Sequence, residues 1–215
     1  MFTQQDYSKL SSIVFQPGYP GYKPEVIEIP NGDGKADADK RYAHIATKYL
    51  NGVVKASTLR MYLTEAHDQA VHVAELLEVP EEFMPVMEYG ALRILEYPPG
   101  AVSHEHQDFD LFTLMLYRDQ PDKFISDWHD MPENVRKVNA QCHMGQLGEY
   151  IGLGSATSHS VLPSETPQHS IVYFAIPNHH AMLSKYDLDG DPDLTVREWL
   201  NERMKRSRTA FDEYK

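Results

Sequence analysis

The strongest constraint on this chain is a short motif and one residue far from it. His106-Gln107-Asp108 is followed, fifty-one residues after the aspartate, by His159. On an extended strand, residues two apart point to the same face, so His106 and Asp108 would present an imidazole and a carboxylate side by side. A histidine from a distant strand completes two imidazoles and one carboxylate around a single ion. That donor set leaves part of the coordination sphere open, as iron needs if it is to take O2 and a second reactant. The motif alone is common by chance in a chain with eleven histidines. Its context has to carry the reading.

The surroundings of the motif read as strands. Leu92–Tyr97 is bounded by Pro98-Pro99-Gly100, and Leu111–Tyr117 is the nearly continuous apolar run expected of a buried strand. Further short strands are predicted at Lys123–Trp128, Ala140–Met144 and Ser170–Ile176. Ahead of them, from about Asp37 to Leu77, the pattern is helical. Tyr42, Ile45, Ala46, Tyr49 and Leu50 recur at 3–4 spacing up to Gly52, and a second helix with Ser57 as its N-cap carries Leu59, Leu63, Ala70 and Val73. His67 and His72, five apart on that helix, diverge too far to share an ion and read as packing or surface residues. Pro80 opens a short helix at Glu81–Met84. Residues 1–36, rich in Tyr, Pro and Gly, read as turns with one strand at Val26–Ile29. A last helix spans Thr195 to about Phe211. Helices, then strands, then a helix favour an α+β fold with a jelly-roll core. We expect one domain: an irregular segment 1–36, helical support over 37–86, a jelly-roll core over 89–180 and a C-terminal helix over 195–211.

Composition excludes several classes. A formal net charge of −12 argues against a general nucleic-acid binder, and the basic cluster Lys205-Arg206-Ser207-Arg208 reads as a solvated helix face. Cys142 is the only cysteine, which rules out an internal disulfide and a thiolate zinc cage. No segment approaches the roughly 18 apolar residues of a membrane span, and the N-terminus has neither a basic start nor an apolar run. The expectation is a soluble, cytoplasmic protein with a small-molecule substrate, no nucleic-acid or membrane partner, and an oligomeric state that the sequence leaves open.

Taken together, these residues resemble the isopenicillin-N-synthase-like branch of the Fe(II)/2-oxoglutarate oxygenases, in order over about residues 70–208. Val73–Phe83 resembles the family's helix that ends in Pro-Glu-x-Phe. Leu92–Pro99 resembles its Leu-Arg-x-Asn-x-Tyr-Pro-Pro strand, and His106–Leu114 its His-Thr-Asp-Phe-Gly-x-Leu-Thr-Leu segment. Trp128 falls where a Trp is usual. Met144–Glu149 is similar to Ile-Gly-Asp-x-Leu-Glu, Ser158-His159-Ser160-Val161 to Thr-His-Arg-Val, Ser170–Pro177 to the last core strand, and Leu194–Leu200 to the terminal helix.

The resemblance implies a double-stranded β-helix, with iron held by His106, Asp108 and His159 and with His104 as a neighbour rather than a ligand. It implies an oxidoreductase that uses O2 and 2-oxoglutarate, releases succinate, and hydroxylates, desaturates or cyclises a small molecule. Tyr97 and Ser170 stand where the family contacts 2-oxoglutarate. Two usual contacts are missing. Gln168 replaces the arginine that grips the distal carboxylate, and Leu95 replaces an asparagine. A neutral amide cannot reproduce a bidentate charged clamp, so a cation must come from elsewhere. Arg118 is the first choice, ahead of Arg93 and Lys123. His169, His143 and Gln146 are candidates to support the ligands.

Other readings remain at this stage. A relative of the same fold could oxidise without 2-oxoglutarate, and a cupin-type site could use His104, His106 and His159. From a different class, Asp187–Glu198 imitates a calcium-binding loop, but Pro192 stands where that loop needs glycine. This stretch reads better as the cap of the last helix. A non-catalytic binding protein is the remaining alternative.

Overall fold

The computed structural model describes residues 2–26, 40–126, 131–139, 141–184 and 194–207. Among the described residues, nine strands carry the core: β1 (Tyr22–Val26), β2 (Lys40–Ile45), β3 (Ala91–Tyr97), β4 (Ser103–His106), β5 (Phe112–Arg118), β6 (Phe124–Ser126), β7 (Cys142–Met144), β8 (His159–Val161) and β9 (Gln168–Ala175). Five α-helices among the same residues accompany them: α1 (Gln4–Val14), α2 (Ala56–Leu76), α3 (Glu133–Val138), α4 (Gln146–Tyr150) and α5 (Val196–Ser207). The larger sheet has the order β1-β2-β3-β9-β5-β7 and the smaller one β4-β8-β6. All pairings are antiparallel, and the two sheets enclose a jelly-roll core.

Strand alternation gives the larger sheet two distinct faces. On β3 and β9, Leu92, Ile94, Ile171, Tyr173 and Ala175 join Leu10, Leu59, Leu63, Ala70 and Val73 of α1 and α2 in the main hydrophobic core. The alternate residues turn inward, where Tyr42, Leu95, Tyr97 and Val172 meet Ala101 and Val161 in a second, smaller cluster between the sheets. α2 keeps its buried residues at 3–4 spacing over 21 residues and backs the sheet with one apolar stripe. α1 is fixed at its start by a capping box between Thr3 and Asp6 and is tied to α2 where Tyr62 donates to Asp6 Oδ1 at 2.7 Å.

The N-terminal part differs from the sequence expectation. The first predicted helix is strand β2 followed by a 3-10 turn at Thr47–Tyr49. β2 lies between β1 and β3 with both faces covered, so its apolar residues show no clean period of two. Residues 4–14, expected as turns, are helix α1. Ser57 lies inside α2 rather than at its cap. That position belongs to Lys55, which has φ +66° and makes no side-chain cap bond. The short helix expected at Glu81–Met84 is a 3-10 turn over Glu81–Phe83, with Pro80 just before it. Of the predicted strand Val26–Ile29 only Val26 is described, at the end of β1, while Trp128 and most of the calcium-like loop lie outside the described residues. Thr195 and Glu198 form a capping box on α5: Thr195 N–H donates to Glu198 Oε2 at 2.9 Å, and Glu198 N–H to Thr195 Oγ1 at 3.3 Å. No helix among the described residues is long and apolar enough to cross a membrane.

Candidate metal centre

β4 and β8 pair so that His106 sits opposite His159, with ring centroids 4.3 Å apart. Asp108 lies two residues beyond the end of β4, in the turn before β5, and not on the strand that simple alternation expects. Its backbone is held there by Gln146 N–H, which donates to Asp108 O at 2.8 Å. The turn still brings the carboxylate in: Asp108 Oδ1 is 4.0 Å from His106 Nε2, and Oδ2 is 3.8 Å from His159 Nε2. One donor atom from each of the three residues falls within 4.8 Å of the others.

The imidazoles are oriented by carbonyls on their far side. His106 Nδ1 lies 2.6 Å from His104 O, and His159 Nδ1 lies 3.3 Å from Thr157 O. An N–H at Nδ1 that donates to a carbonyl leaves Nε2 as a lone pair facing Asp108, as a metal ligand requires. Burial, followed by the neighbouring His106, pushes the pKa of His159 down to about 4, so its ring is neutral at physiological pH. Burial raises the Asp108 carboxyl, but His159, His106 and the Thr113 hydroxyl outweigh it and hold the group ionised below its usual range. Two imidazoles and one carboxylate in this array suit a divalent iron.

Behind the cluster lies a polar support. Thr113 Oγ1 is 2.5 Å from Asp108 Oδ2 and 2.9 Å from Asp110 Oδ2. Burial, and next the charge of Asp108, pushes the Asp110 carboxyl well above its ordinary value. A hydroxyl has one proton to give, and the ionised Asp108, at the shorter distance, is its acceptor. His143, on β7 opposite Thr113, stacks on His159 with centroids 5.1 Å apart. Burial, then His159, pushes its pKa down to about 3. Gln146 Nε2 donates to Gln107 Oε1, and Gln107 Nε2 to Ala156 O.

The cavity in front of the cluster, about 60 Å³, is lined by both sheets: His106, Asp108, His159, Val161 and Phe124 on one side, and Lys40, Arg93, Leu95, Tyr97, Thr113, Met115, Arg118, His143, Ser170, Val172 and Phe174 on the other. Tyr97, Ser170 and Arg118 are thus in one chamber with the histidines. Gln168 stands behind them. Its Oε1 accepts from Arg118 Nη2 at 3.2 Å, and its Nε2 donates to Leu162 O at 2.7 Å. Arg118 reaches the chamber because of a bulge. β5 pairs Met115 with Val172 and Arg118 with Ser170, and the register slips between Met115 and Tyr117. The extra residue resets the alternation, so Met115 and Arg118, three apart, face the same cavity.

Several candidates go elsewhere. His169 is on the opposite face of β9, bound to Asp119 Oδ2 at 2.6 Å and packed on Tyr7, so it does not support the ligands. His104 is exposed and is not one of the three residues of the cluster; its carbonyl meets His106 Nδ1. Lys123 is outside the cavity lining. His67 bonds the Tyr173 hydroxyl, and His72 is an exposed neighbour of Glu75. Sequence reasoning missed Lys40, a buried lysine in the lining, because β2 read as a helix. It also missed Thr113, though its place five residues after the motif's aspartate was available as a signal.

No family model and no curated protein matches the sequence. Solved structures do match in fold. A candidate oxygenase from Shewanella oneidensis superposes with a TM-score of 0.59 at 16% identity, over 94% of this chain and 84% of that one. A full-length Neurospora crassa protein in complex with alpha-KG gives 0.57 at 15%, over 95% and 83%. The same protein with alpha-KG and 5-formyluracil gives 0.58 at 16%, over 95% and 83%. The chain therefore has the jelly-roll fold of the 2-oxoglutarate oxygenases.

Proposed function

We propose that this chain is a mononuclear Fe(II) oxygenase of the isopenicillin-N-synthase-like kind, with iron held by His106, Asp108 and His159. It oxidises a small molecule with O2, coupled to 2-oxoglutarate decarboxylation, and hydroxylates, desaturates or cyclises it. The observation that carries the reading is Arg118: a guanidinium delivered by a bulge into the His–Asp–His chamber, opposite Ser170 and braced by Gln168. Bound by this triad, iron would supply the activation of O2 and the oxidising power. The chain's own residues do the rest. Arg118 and Ser170, with Tyr97 beside them, take the distal carboxylate of 2-oxoglutarate. Gln168 spends its amide on Leu162 O and Arg118, and so fixes the guanidinium one strand away from the position where the family keeps its arginine. Leu95, Val161, Val172 and Phe174 exclude water from the reacting end. The Neurospora protein of the same fold holds alpha-KG, which supports the co-substrate. A cytoplasmic, reducing setting suits both Fe(II) and a chain whose one cysteine, Cys142, is a buried thiol.

The test is an anaerobic titration of Fe(II)-loaded protein with 2-oxoglutarate, read by the visible charge-transfer band of the chelate. A saturable band is expected, and Arg118→Ala should raise the concentration needed for half-saturation by about tenfold to a hundredfold, the worth of a charged hydrogen-bond pair. Iron binding without a band would replace 2-oxoglutarate by the substrate as the electron source.

A further inference from the structure

Arg118 is the last residue of β5 and comes just after the bulge. Strand ends are where a ladder opens first, so the clamp needs something to hold it. In the chamber the guanidinium donates from Nε to Gln120 O at 3.2 Å and from Nη2 to Gln168 Oε1 at 3.2 Å. Each of these partners is the chain neighbour of one member of a second contact, between Asp119 and His169. Asp119 grips His169 at three points. Its N–H donates to His169 O at 3.2 Å, its Oδ1 accepts from His169 N–H at 2.9 Å, and its Oδ2 lies 2.6 Å from His169 Nδ1. A carboxylate can only accept, so Nδ1 is the donor. The pairing of β5 with β9 ends at Arg118 and Ser170. The Asp119 side chain carries it one residue further, by taking the N–H that a strand carbonyl would otherwise accept.

The imidazole is held on its other sides as well. Its Nε2 lies 3.6 Å from Oε2 of Glu96, the residue of β3 that faces His169 across the ladder, and Glu96 is paired with Arg41 at 2.7 Å. Tyr7 of α1 packs on the ring with centroids 4.7 Å apart, and the Tyr117 hydroxyl donates to Gln4 of the same helix. The contact thus joins β3, β9 and β5 under α1, partly shielded from solvent, where charge-assisted hydrogen bonds are strong. None of Asp119, His169, Glu96, Arg41 and Tyr7 lines the chamber.

We infer that Asp119 and His169 are positioning residues for the co-substrate: their contact locks the end of β5 against β9 in the bulged register that turns Arg118 inward. The inference rests on the function proposed above and deepens it. Without the lock, the end of β5 can relax toward plain alternation, which carries Arg118 to the outer face.

The test compares two ligands of the Fe(II)-loaded protein without oxygen, each read by the visible band of its chelate. One is 2-oxoglutarate. The other is 2-oxopentanoate, the same chain with a methyl group in place of the distal carboxylate. Both chelate through the same end, so the ratio of their dissociation constants reports the clamp alone. The parent should bind 2-oxoglutarate about tenfold to a hundredfold more tightly. Asp119→Ala should shrink that ratio by about tenfold, through 2-oxoglutarate and with 2-oxopentanoate unchanged. Asp119→Asn, which keeps an acceptor for His169 N–H, should lose less. His169→Phe keeps a ring on Tyr7 and should also shrink the ratio, whereas His169→Asn, whose Nδ2 stands in for the ring Nδ1, should restore it. Urea unfolding shows which variants are folded; if Asp119→Ala is not, Asp119→Asn and the two His169 variants give the same reading. A ratio that stays at the parent value in the Asp119 variants and in His169→Phe would overturn the inference and leave the clamp standing. So would an equal weakening of both ligands, which is what a merely structural contact predicts. A parent that gives no band with 2-oxoglutarate, or no preference between the ligands, would refute the clamp itself and the inference with it.

Discussion

Replacing Thr113 with valine removes one hydroxyl and changes little else in shape, and the structure says what it should cost. The hydroxyl links two carboxyl groups, at 2.5 Å from Asp108 and 2.9 Å from Asp110. Its bond to ionised Asp108 is charge-assisted, worth about 1.5–3 kcal/mol, which corresponds to about tenfold to a hundredfold in metal affinity. Effects of that size are typical when the support of a metal ligand is removed. Valine also removes the Thr113 contact of the buried Asp110 carboxyl, at a cost to the metal-free protein of about 1–3 kcal/mol. Metal affinity would be measured by competition with a chromophoric chelator at neutral pH, and stability by urea unfolding of the metal-free protein. Thr113→Ser, which restores the hydroxyl, should recover most of both losses. A valine variant that holds metal within twofold of the parent at unchanged stability would show that the hydroxyl is a bystander to both carboxyl groups.

Two further perturbations probe the same support. A Cβ at Gly145 would collide with the backbone carbonyl and side chain of Asp110, so Gly145→Ala should lower stability by about 1–3 kcal/mol; an unchanged urea midpoint would mean that the turn is looser than drawn. His143 provides a pH test on the metal-free protein. The unfolded chain protonates this imidazole below its ordinary 6.5, whereas the folded chain resists until about 3. The unfolded state therefore binds the extra proton in that window, and stability present above pH 6.5 is lost as pH falls, by about 1.4 kcal/mol per pH unit. His143→Asn should flatten the measured slope by that amount between pH 6 and 4. Parallel slopes would refute the burial argument.

The parts of this fold that follow local period were legible in the sequence. β3, β5, β9, α2 and α5 were, because each has one dominant buried face or a continuous apolar run. What failed was decided by tertiary surroundings. β2 is buried on both sides, with Ala43 and Ile45 toward the helices and Lys40 and Tyr42 toward the cavity, so the spacing of its apolar residues imitated a helix. Lys40 was lost with it. α1 did carry a signal, the Thr3-x-x-Asp6 box followed by Tyr7, Leu10 and Val14 at 3–4 spacing, but the Pro/Gly-rich stretch behind it dominated the reading. The bulge in β5 had no sequence signature at all. Strict alternation from Thr113 and Met115 would have put Tyr117 in the cavity and Arg118 outside.

That bulge makes one last experiment decisive. The family resemblance places a cation at position 168 on β9, and this chain has Gln168 there, with Arg118 one strand away on β5 and hydrogen-bonded to it. If the two residues share one task, position matters less than the charge they deliver next to Ser170. Arg118→Gln alone should then weaken 2-oxoglutarate by about tenfold to a hundredfold, and Gln168→Arg alone should add a further buried cation beside Arg118 and destabilise the fold. The double variant, with the residues exchanged, should recover much of the affinity lost by the first, because the guanidinium now reaches the same carboxylate from β9 and the amide accepts from it across the strands. The coupling of the two changes, read from the four titrations of a double-mutant cycle, is the quantity to measure. Additive losses with no recovery would mean that Gln168 is only a brace for Leu162 and that the shift of the cation from one strand to the next is an accident of this chain.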